Sequence, residues 1–478
     1  MRAVVASGSL IAAVLIACGG HNGGGGGGGG SDAAGTGPDA CVGLQCNVVD
    51  CRGMSKPETQ VSGTVFAPNG TLPLSGITVY VPGTDPGAVP AGAQCSRCND
   101  ALPGNPVVVT TTDALGKFSL LGIPAGDSIP IVITSGKWRR LITIPHVDAC
   151  SEHPLAPADT RLPRDKTEGD LPQIAITTGG ADSLECLVRK LGVADTEITT
   201  DRNNENGRVQ LYVGKDLNDM MRGDDATDQF KAGFGGRAAA ESFSPAETLW
   251  GNLDKLKTYD IVMLSCEGAE YTDIKPQAAL DAMKAYANYG GRVFASHWHN
   301  VWIKGYVDQS DPRQPELDRA AEWPEVATWN PDPHDLPNGS SALINEDSTT
   351  NPKGQVFADW MLNVHGSTVR DQIVLQDQDA TTSTGRSTCN GVEGDTERWV
   401  YLPGQLGGGT QNFQFTTPHD VSADQRCGKV VFSDMHVSGF AGPGAYPDSC
   451  GTSTELTPQE KALAFMFFDI ASCVDVIF

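Results

Sequence analysis

The sequence predicts a multidomain protein, with an N-terminal antiparallel β-sandwich followed by an α/β domain built on a mainly parallel sheet. Three observations predict it. The chain has 478 residues, too many for one ordinary core. Between Gln60 and about Pro145, short alternating runs are separated by Gly, Pro, Asn and Asp turns, the pattern of a small sandwich. From Tyr259 to His299 the pattern becomes strand, helix, glycine stop and strand. Such a unit closes as a right-handed crossover between parallel strands.

The chain opens with Arg2 and the apolar run Leu10–Ala17, which reads as an export signal and is too short to span a bilayer. His21-Asn22, the eight glycines Gly23–Gly30 and a Ser/Asp/Ala/Gly-rich stretch to about Pro38 read as a flexible tether. Its reach is about 25 Å. The end of the apolar run, Leu15-Ile16-Ala17-Cys18-Gly19, resembles the lipobox of bacterial lipoproteins. The resemblance implies cleavage before Cys18 and acylation of its sulfur and new amino group. With Gly19 rather than Asp after the cysteine, it also implies sorting to the outer membrane or surface of a Gram-negative bacterium. The expected bounds are 1–18 for the signal and 19–40 for the tether, with the membrane as partner through the lipid. The plainer alternative is a secreted protein with a chance cysteine.

Thirteen cysteines are present. Apart from Cys18 they fall in close groups: Cys41, Cys46 and Cys51; Cys95 and Cys98; Cys150 and Cys186; Cys389 and Cys427; Cys450 and Cys473. Cys266 stands apart. In an exported chain this reads as disulfides. Cys95-Ser96-Arg97-Cys98 has no second pair nearby to make it a zinc or redox motif. Connectivity does not follow from spacing. The loose expectation joins the Cys41–Cys51 cluster to Cys95 or Cys98, Cys389 to Cys427, and Cys450 to Cys473, with Cys266 free or bridged to Cys186.

Residues 41–150 hold the cysteine-rich segment and the sandwich. Strands are expected at Val61–Phe66, Ile77–Val81, Val107–Thr111, Phe118–Leu121 and Ile129–Ile133. Ser62-Gly63-Thr64-Val65, the Thr112-Asp113…Gly116-Lys117-Phe118 turn and Leu121-Gly122-Ile123-Pro124-Ala125-Gly126 resemble the carboxypeptidase regulatory-like (transthyretin-like) domain. The resemblance implies a non-catalytic spacer or binding module. Trp138-Arg139-Arg140 reads as an edge strand with a capping Trp, or as a ligand clamp. Residues 151–171 read as a linker.

Residues 172–478 form the α/β domain, with an insertion at about 303–427. Strands are expected at Ile174–Gly180, Val209–Val213, Ile261–Cys266, Val293–His297 and Lys429–His436. Asp182-Ser183 is a cap for the helix Leu184–Leu191, and Ala246–Leu256 and Gly354–Val364 read as helices. Trp399–Tyr401 and Phe413–Phe415 pair as a hairpin around Gly407-Gly408-Gly409. Thr457-Pro458-Gln459-Glu460 opens the last helix with a capping box. The strands at 174, 261, 293 and 430 resemble the class I glutamine amidotransferase-like, flavodoxin-like fold, and within it the ThuA-like branch. Amidotransferases carry a nucleophilic Cys between glycines after the strand that holds Val293. Ala295-Ser296-His297-Trp298-His299 stands there instead, so the glutaminase activity is not expected.

The candidate chemistry lies at the strand ends, the edge where open α/β sheets bind ligands. His297 and His299 are two apart, which on a strand puts both on one face. Asp434 and His436 repeat the spacing. If these ends meet, three imidazoles and a carboxylate suit a divalent metal. Cys266 with Glu267 beside His297 is a candidate thiol nucleophile. Backbone-bonded histidines and a buried thiol are the plainer reading of both. Asp201, Asn203 and Glu205 alternate like a calcium loop, but Gly207 is a place late and Tyr212 stands where the bidentate Glu belongs. A net charge of −24 argues against nucleic acid as a partner. The expected function is a lipid-anchored envelope surface protein, a non-catalytic binding or scaffold module for a carbohydrate or protein ligand. The alternative is a hydrolase or metal-dependent enzyme using His297 and His299 with Asp434 and His436, its cofactor a divalent metal.

Overall fold

The computed structural model describes residues 41, 43–200, 207–215, 230–236, 242–309, 313, 315, 318–376, 385–404, 409–437, 445–451 and 453–474. The export signal with Cys18, the tether, Asp201, Asn203, Glu205 and Gly407-Gly408 lie outside them.

Seven strands make the N-terminal part: β1 (Gln60–Thr64), β2 (Thr78–Pro82), β3 (Pro106–Thr111), β4 (Lys117–Leu121), β5 (Gly126–Ser135), β6 (Trp138–Val147) and β7 (Glu152–Pro154). They form two sheets, β4-β1-β7 and β3-β2-β5-β6. Period-two alternation sets their faces. In β4, Phe118 and Leu120 are buried while Lys117, Ser119 and Leu121 are exposed. Val61 and Leu120 of one sheet share a core with Val79, Val81, Ile131 and Ile133 of the other. The stretch 151–171, expected as a linker, belongs to this body. Its Glu152–Pro154 is β7, paired with β1, and Arg161 holds Glu168 through two 2.5 Å bonds.

The remaining strands are β8 (Ile174–Thr177), β9 (Ile198–Thr200), β10 (Val209–Val213), β11 (Ser244–Pro245), β12 (Ile261–Leu264), β13 (Arg292–Ser296), β14 (Ala327–Trp329), β15 (Ser340–Ile344), β16 (Gln372–Leu375), β17 (Cys389–Val392), β18 (Glu397–Tyr401), β19 (Thr410–Thr417) and β20 (Gly428–Ser433). The large sheet runs β11-β10-β8-β12-β13-β20-β19-β18-β15-β16, with β9 also against β10. It is parallel from β11 to β20 and antiparallel from β20 to β16. Strands β8, β12, β13 and β20 are buried at every position, as parallel strands covered on both faces are. The helix Gln277–Tyr289 joins β12 to β13 and buries Ala279, Leu280, Met283, Tyr286 and Ala287. Gly290 ends it at φ +119°, a conformation L side chains avoid.

The segment 303–427, expected as an insertion, supplies four of the eleven strands of this sheet. Its β15, β16, β18 and β19 extend it, and β18 and β19 pair as the expected hairpin. The expected helix Ala246–Leu256 breaks into Glu247–Trp250 and Leu253–Leu256, because Asn252 accepts from Lys255 N and starts a new turn.

The last helix, Pro458–Ala471, carries the expected capping box between Thr457 and Glu460. It is buried on nearly every side, the mark of a helix with partners all round. It meets β16 and β20 of the large sheet and the sandwich strand β5. Trp138, on the edge strand β6, is fully buried against this helix. Its ring lies 5.8 Å from Phe467 and 5.6 Å from Phe468, and its Nε1 donates to Pro163 O. It joins the two parts of the chain and is no ligand clamp. Residues 43–478 form one compact unit. Among the described residues, no helix is long and apolar enough to cross a membrane.

The disulfides are Cys51–Cys150, Cys95–Cys427, Cys98–Cys473 and Cys186–Cys450; Cys41 and Cys46 are disulfide-bonded as well. The expected pairings are corrected. The Cys51 bond goes to Cys150, not to Cys95 or Cys98, and neither Cys389–Cys427 nor Cys450–Cys473 forms. The reason is where distant segments meet. The chain after the last helix runs along residues 96–98, with Cys98 N donating to Val474 O and Val474 N to Ser96 O. Cys389 and Cys266 are free and buried.

Candidate functional site

The C-terminal ends of β8, β12, β13 and β20 converge on one point. After β8, Gly179 passes so close to β12 that an added Cβ would lie 2.1 Å from Cys266 O. Asp182 follows, buried, and braces the edge. It accepts from Ser296 Oγ at 2.5 Å and from Val437 N at 2.9 Å, so three strand ends hang on one carboxylate. Burial raises its pKa to about 6, against those hydrogen bonds. Ser183 takes the expected cap position but its hydroxyl makes no cap bond.

After β12 comes Cys266, its Sγ 3.4 Å from His297 Nδ1. Burial pushes the thiol up to about 12. Glu267, paired with it as a candidate, faces away. It is ion-paired with the buried Lys275 and accepts from Lys215 N at 2.6 Å. It supports the edge and does not touch the thiol's partner.

His297 and His299 do not share a strand face, because β13 ends at Ser296 and His297–Asn300 is a 3₁₀ turn. His297 takes a left-handed φ of +41°, and the two histidines part. His299 Nε2 donates to Ser265 O at 2.9 Å and its Nδ1 accepts from Trp302 Nε1 at 2.9 Å. With both nitrogens engaged it has none left for a metal, which removes it from the expected ligand set. Asp434 leaves the set too. Its Oδ2 accepts from Thr388 N and Cys389 N, turned toward the neighbouring β17, and burial raises its pKa to about 7.

His436 stays, together with His297. His436 is 1% exposed and neither ring nitrogen has a hydrogen-bond partner. Its ring centroid lies 5.2 Å from that of His297. Burial, with the Arg386 charge behind it, holds His436 well below the ordinary histidine pKa. Burial and then the His436 and Arg386 charges do the same to His297. Cys266, His297 and His436 each offer one donor atom within 4.8 Å of the others.

These imidazoles open on a cleft of about 220 Å3 lined by Gly268, Trp298, His334, Asp335 and Arg386 among others. Arg386 and His334 come from segment 303–427, and no motif marked them. Two backbone bridges bring them over the edge, Gly385 with Met435 and Asp335 with Arg386. Arg386 Nε pairs with Asp335 at 2.9 Å, and His334 Nδ1 lies 3.1 Å from Ser387 Oγ. Trp298 also borders a second, wider cavity, lined by Glu270, Tyr271 and Tyr306 among others.

No protein-family model matches the chain, and no curated protein matches it. Among solved structures, it is similar to a cytoplasmic protein of Salmonella typhimurium, STM3548, at 13% identity and a TM-score of 0.29. That match covers 63% of this chain and 99% of the other. A protein from Bacteroides uniformis described as thua-like matches at 13% identity and a TM-score of 0.28, over 62% of this chain and 88% of its own. A type II cohesin–X-dockerin complex from Acetivibrio cellulolyticus matches at 18% identity and a TM-score of 0.15, over 31% and 79%. Scores of this size leave the chemistry to be read from the side chains themselves.

Proposed function

We propose that this chain is an exported, lipid-anchored envelope protein whose α/β domain binds a small anion in the cleft beside His436. The observation that carries the reading is His436. A buried imidazole with two unpartnered nitrogens forgoes hydrogen bonds worth about 1–3 kcal/mol, and a ligand in the cleft restores them. Donors support the anion. The cleft is lined by Arg386, whose Nε is ion-paired with Asp335, and by His436, a neutral imidazole that can donate one N–H. Size supports a few heavy atoms, since the cleft is below the range of about 300–1,000 Å3 for drug-sized ligands. A carbohydrate or protein would engage it through an acidic end group.

A thiol-nucleophile reading has the Cys266–His297 contact in its favour. Its weakness is that the thiolate, not the thiol, attacks, and burial keeps this sulfur protonated at neutral pH. The envelope part of the proposal rests on the lipobox at Cys18, the glycine tether, and disulfides that suit an oxidising compartment. The sandwich is then the spacer module that its resemblance to carboxypeptidase regulatory-like domains implies.

Calorimetric titration of chelator-treated protein with phosphate, sulfate and oxalate tests the cleft. At least one should bind, and Arg386→Ala should weaken it by about tenfold or more. Binding of none, or binding indifferent to Arg386→Ala, contradicts the reading.

A further inference from the structure

We propose that Cys266, His297 and His436 form a transition-metal site at the floor of the cleft, with three protein donors and one open position. The proposal rests on the cleft being the working site and deepens that reading. Cys266 Sγ and His297 Nδ1 are 3.4 Å apart. That is about the separation two donors keep around a tetrahedral ion with bonds of about 2.0–2.3 Å. All three donors already lie within 4.8 Å of one another. Closing around an ion asks on the order of an ångström of side-chain movement.

The second observation is independent of that distance. His436 is almost fully buried and its two nitrogens have no partner. Its neighbour His299, by contrast, has partners on both nitrogens. The three donors come from the ends of three adjacent strands, β12, β13 and β20. Asp182 ties the last two of these ends to β8 through Ser296 and Val437. The left-handed backbone of His297 is the kind of strain, about 1–3 kcal/mol, that persists where the surroundings impose it.

One thiolate and two imidazoles select zinc or a similar ion over magnesium or calcium, which take oxygen. On binding, the sulfur–metal bond replaces the sulfur–hydrogen bond and the proton leaves to solvent. The open position faces the cleft, where an anion or water oxygen completes the shell.

Cobalt(II) titration of the full chain, stripped with chelator and dialysed, tests the site. The expected result is one cobalt per chain, with visible bands of tetrahedral strength and a near-ultraviolet thiolate-to-cobalt band, both lost on adding zinc. Cys266→Ser should abolish the near-ultraviolet band, while Cys389→Ser, at the other free buried thiol, should keep it. Circular dichroism checks that each variant is folded. Absence of the thiolate band in the wild-type protein overturns the site whatever the variants do, and so does a band that survives Cys266→Ser. If oxalate or phosphate still binds when no cobalt does, the metal site falls and the anion cleft stands. If cobalt binds and no anion does, the reverse holds.

Discussion

Cys95 is disulfide-bonded to Cys427, 332 residues further along the chain. Cys98 repeats the gesture with Cys473, at the end of the last helix. Together they clamp one loop of the sandwich to the base of the large sheet. Cross-links over such long loops stabilise by about 2–5 kcal/mol each. Cys95→Ser with Cys427→Ser should lower the denaturation free energy by that amount, and non-reducing peptide mapping of the wild type should recover both linkages. Finding Cys95 joined to Cys473 would contradict the clamp.

Glu185 gives the sheet edge a pH dependence. It is fully buried, with Ser265 Oγ 3.5 Å away, and burial raises its pKa from 4.5 to about 8. The folded state therefore holds a proton that the unfolded state has released between those values. The contribution of Glu185 to stability is greatest below about pH 4.5 and falls as pH rises toward 8. At about 1.4 kcal/mol per pH unit the loss is on the order of a few kcal/mol. Asp182 and Asp434 push the same way. Glu185→Gln should reduce the fall of the melting temperature between about pH 5 and pH 9, leaving the part due to Asp182 and Asp434. A variant with the wild-type slope would count against it.

The buried pair Glu267–Lys275 predicts an asymmetric cost. Both side chains are inaccessible, and Lys275 also sits 5.2 Å from the Trp250 ring centroid. Lys275→Met leaves a buried carboxylate without its counter-charge and should destabilise by about 3–5 kcal/mol in urea titration. Adding Glu267→Gln should recover much of it. A single variant costing under about 1 kcal/mol would mean the pair is solvated.

The anchor predicts a labelling result. Cells fed radiolabelled palmitate should incorporate it into the wild-type protein and not into Cys18→Ser. Incorporation that ignores Cys18 would remove the lipid anchor from the account.

Much of the fold was legible, because it follows periodicity. The β12–helix–β13 unit, the sandwich strands and the Thr457 capping box come from local patterns, and local patterns fix local structure. Disulfide partners were not legible, since Cys98 and Cys473 meet only after both parts fold. Half of the candidate site was legible. His297 and His436 converge because both follow central strands. His299 and Asp434 failed for a local reason: each strand ends one residue before the pair begins, so spacing of two no longer means a shared face. Arg386 and His334 were beyond reach, carried to the cleft by two backbone bridges that no pattern announces.

X-ray absorption at the zinc edge of the zinc-loaded protein tests the central claim, that Cys266, His297 and His436 hold one ion. The expected shell holds one sulfur at about 2.3 Å with nitrogen neighbours at about 2.0–2.1 Å, and the sulfur is lost in Cys266→Ser. A wild-type shell of oxygen and nitrogen alone would contradict it.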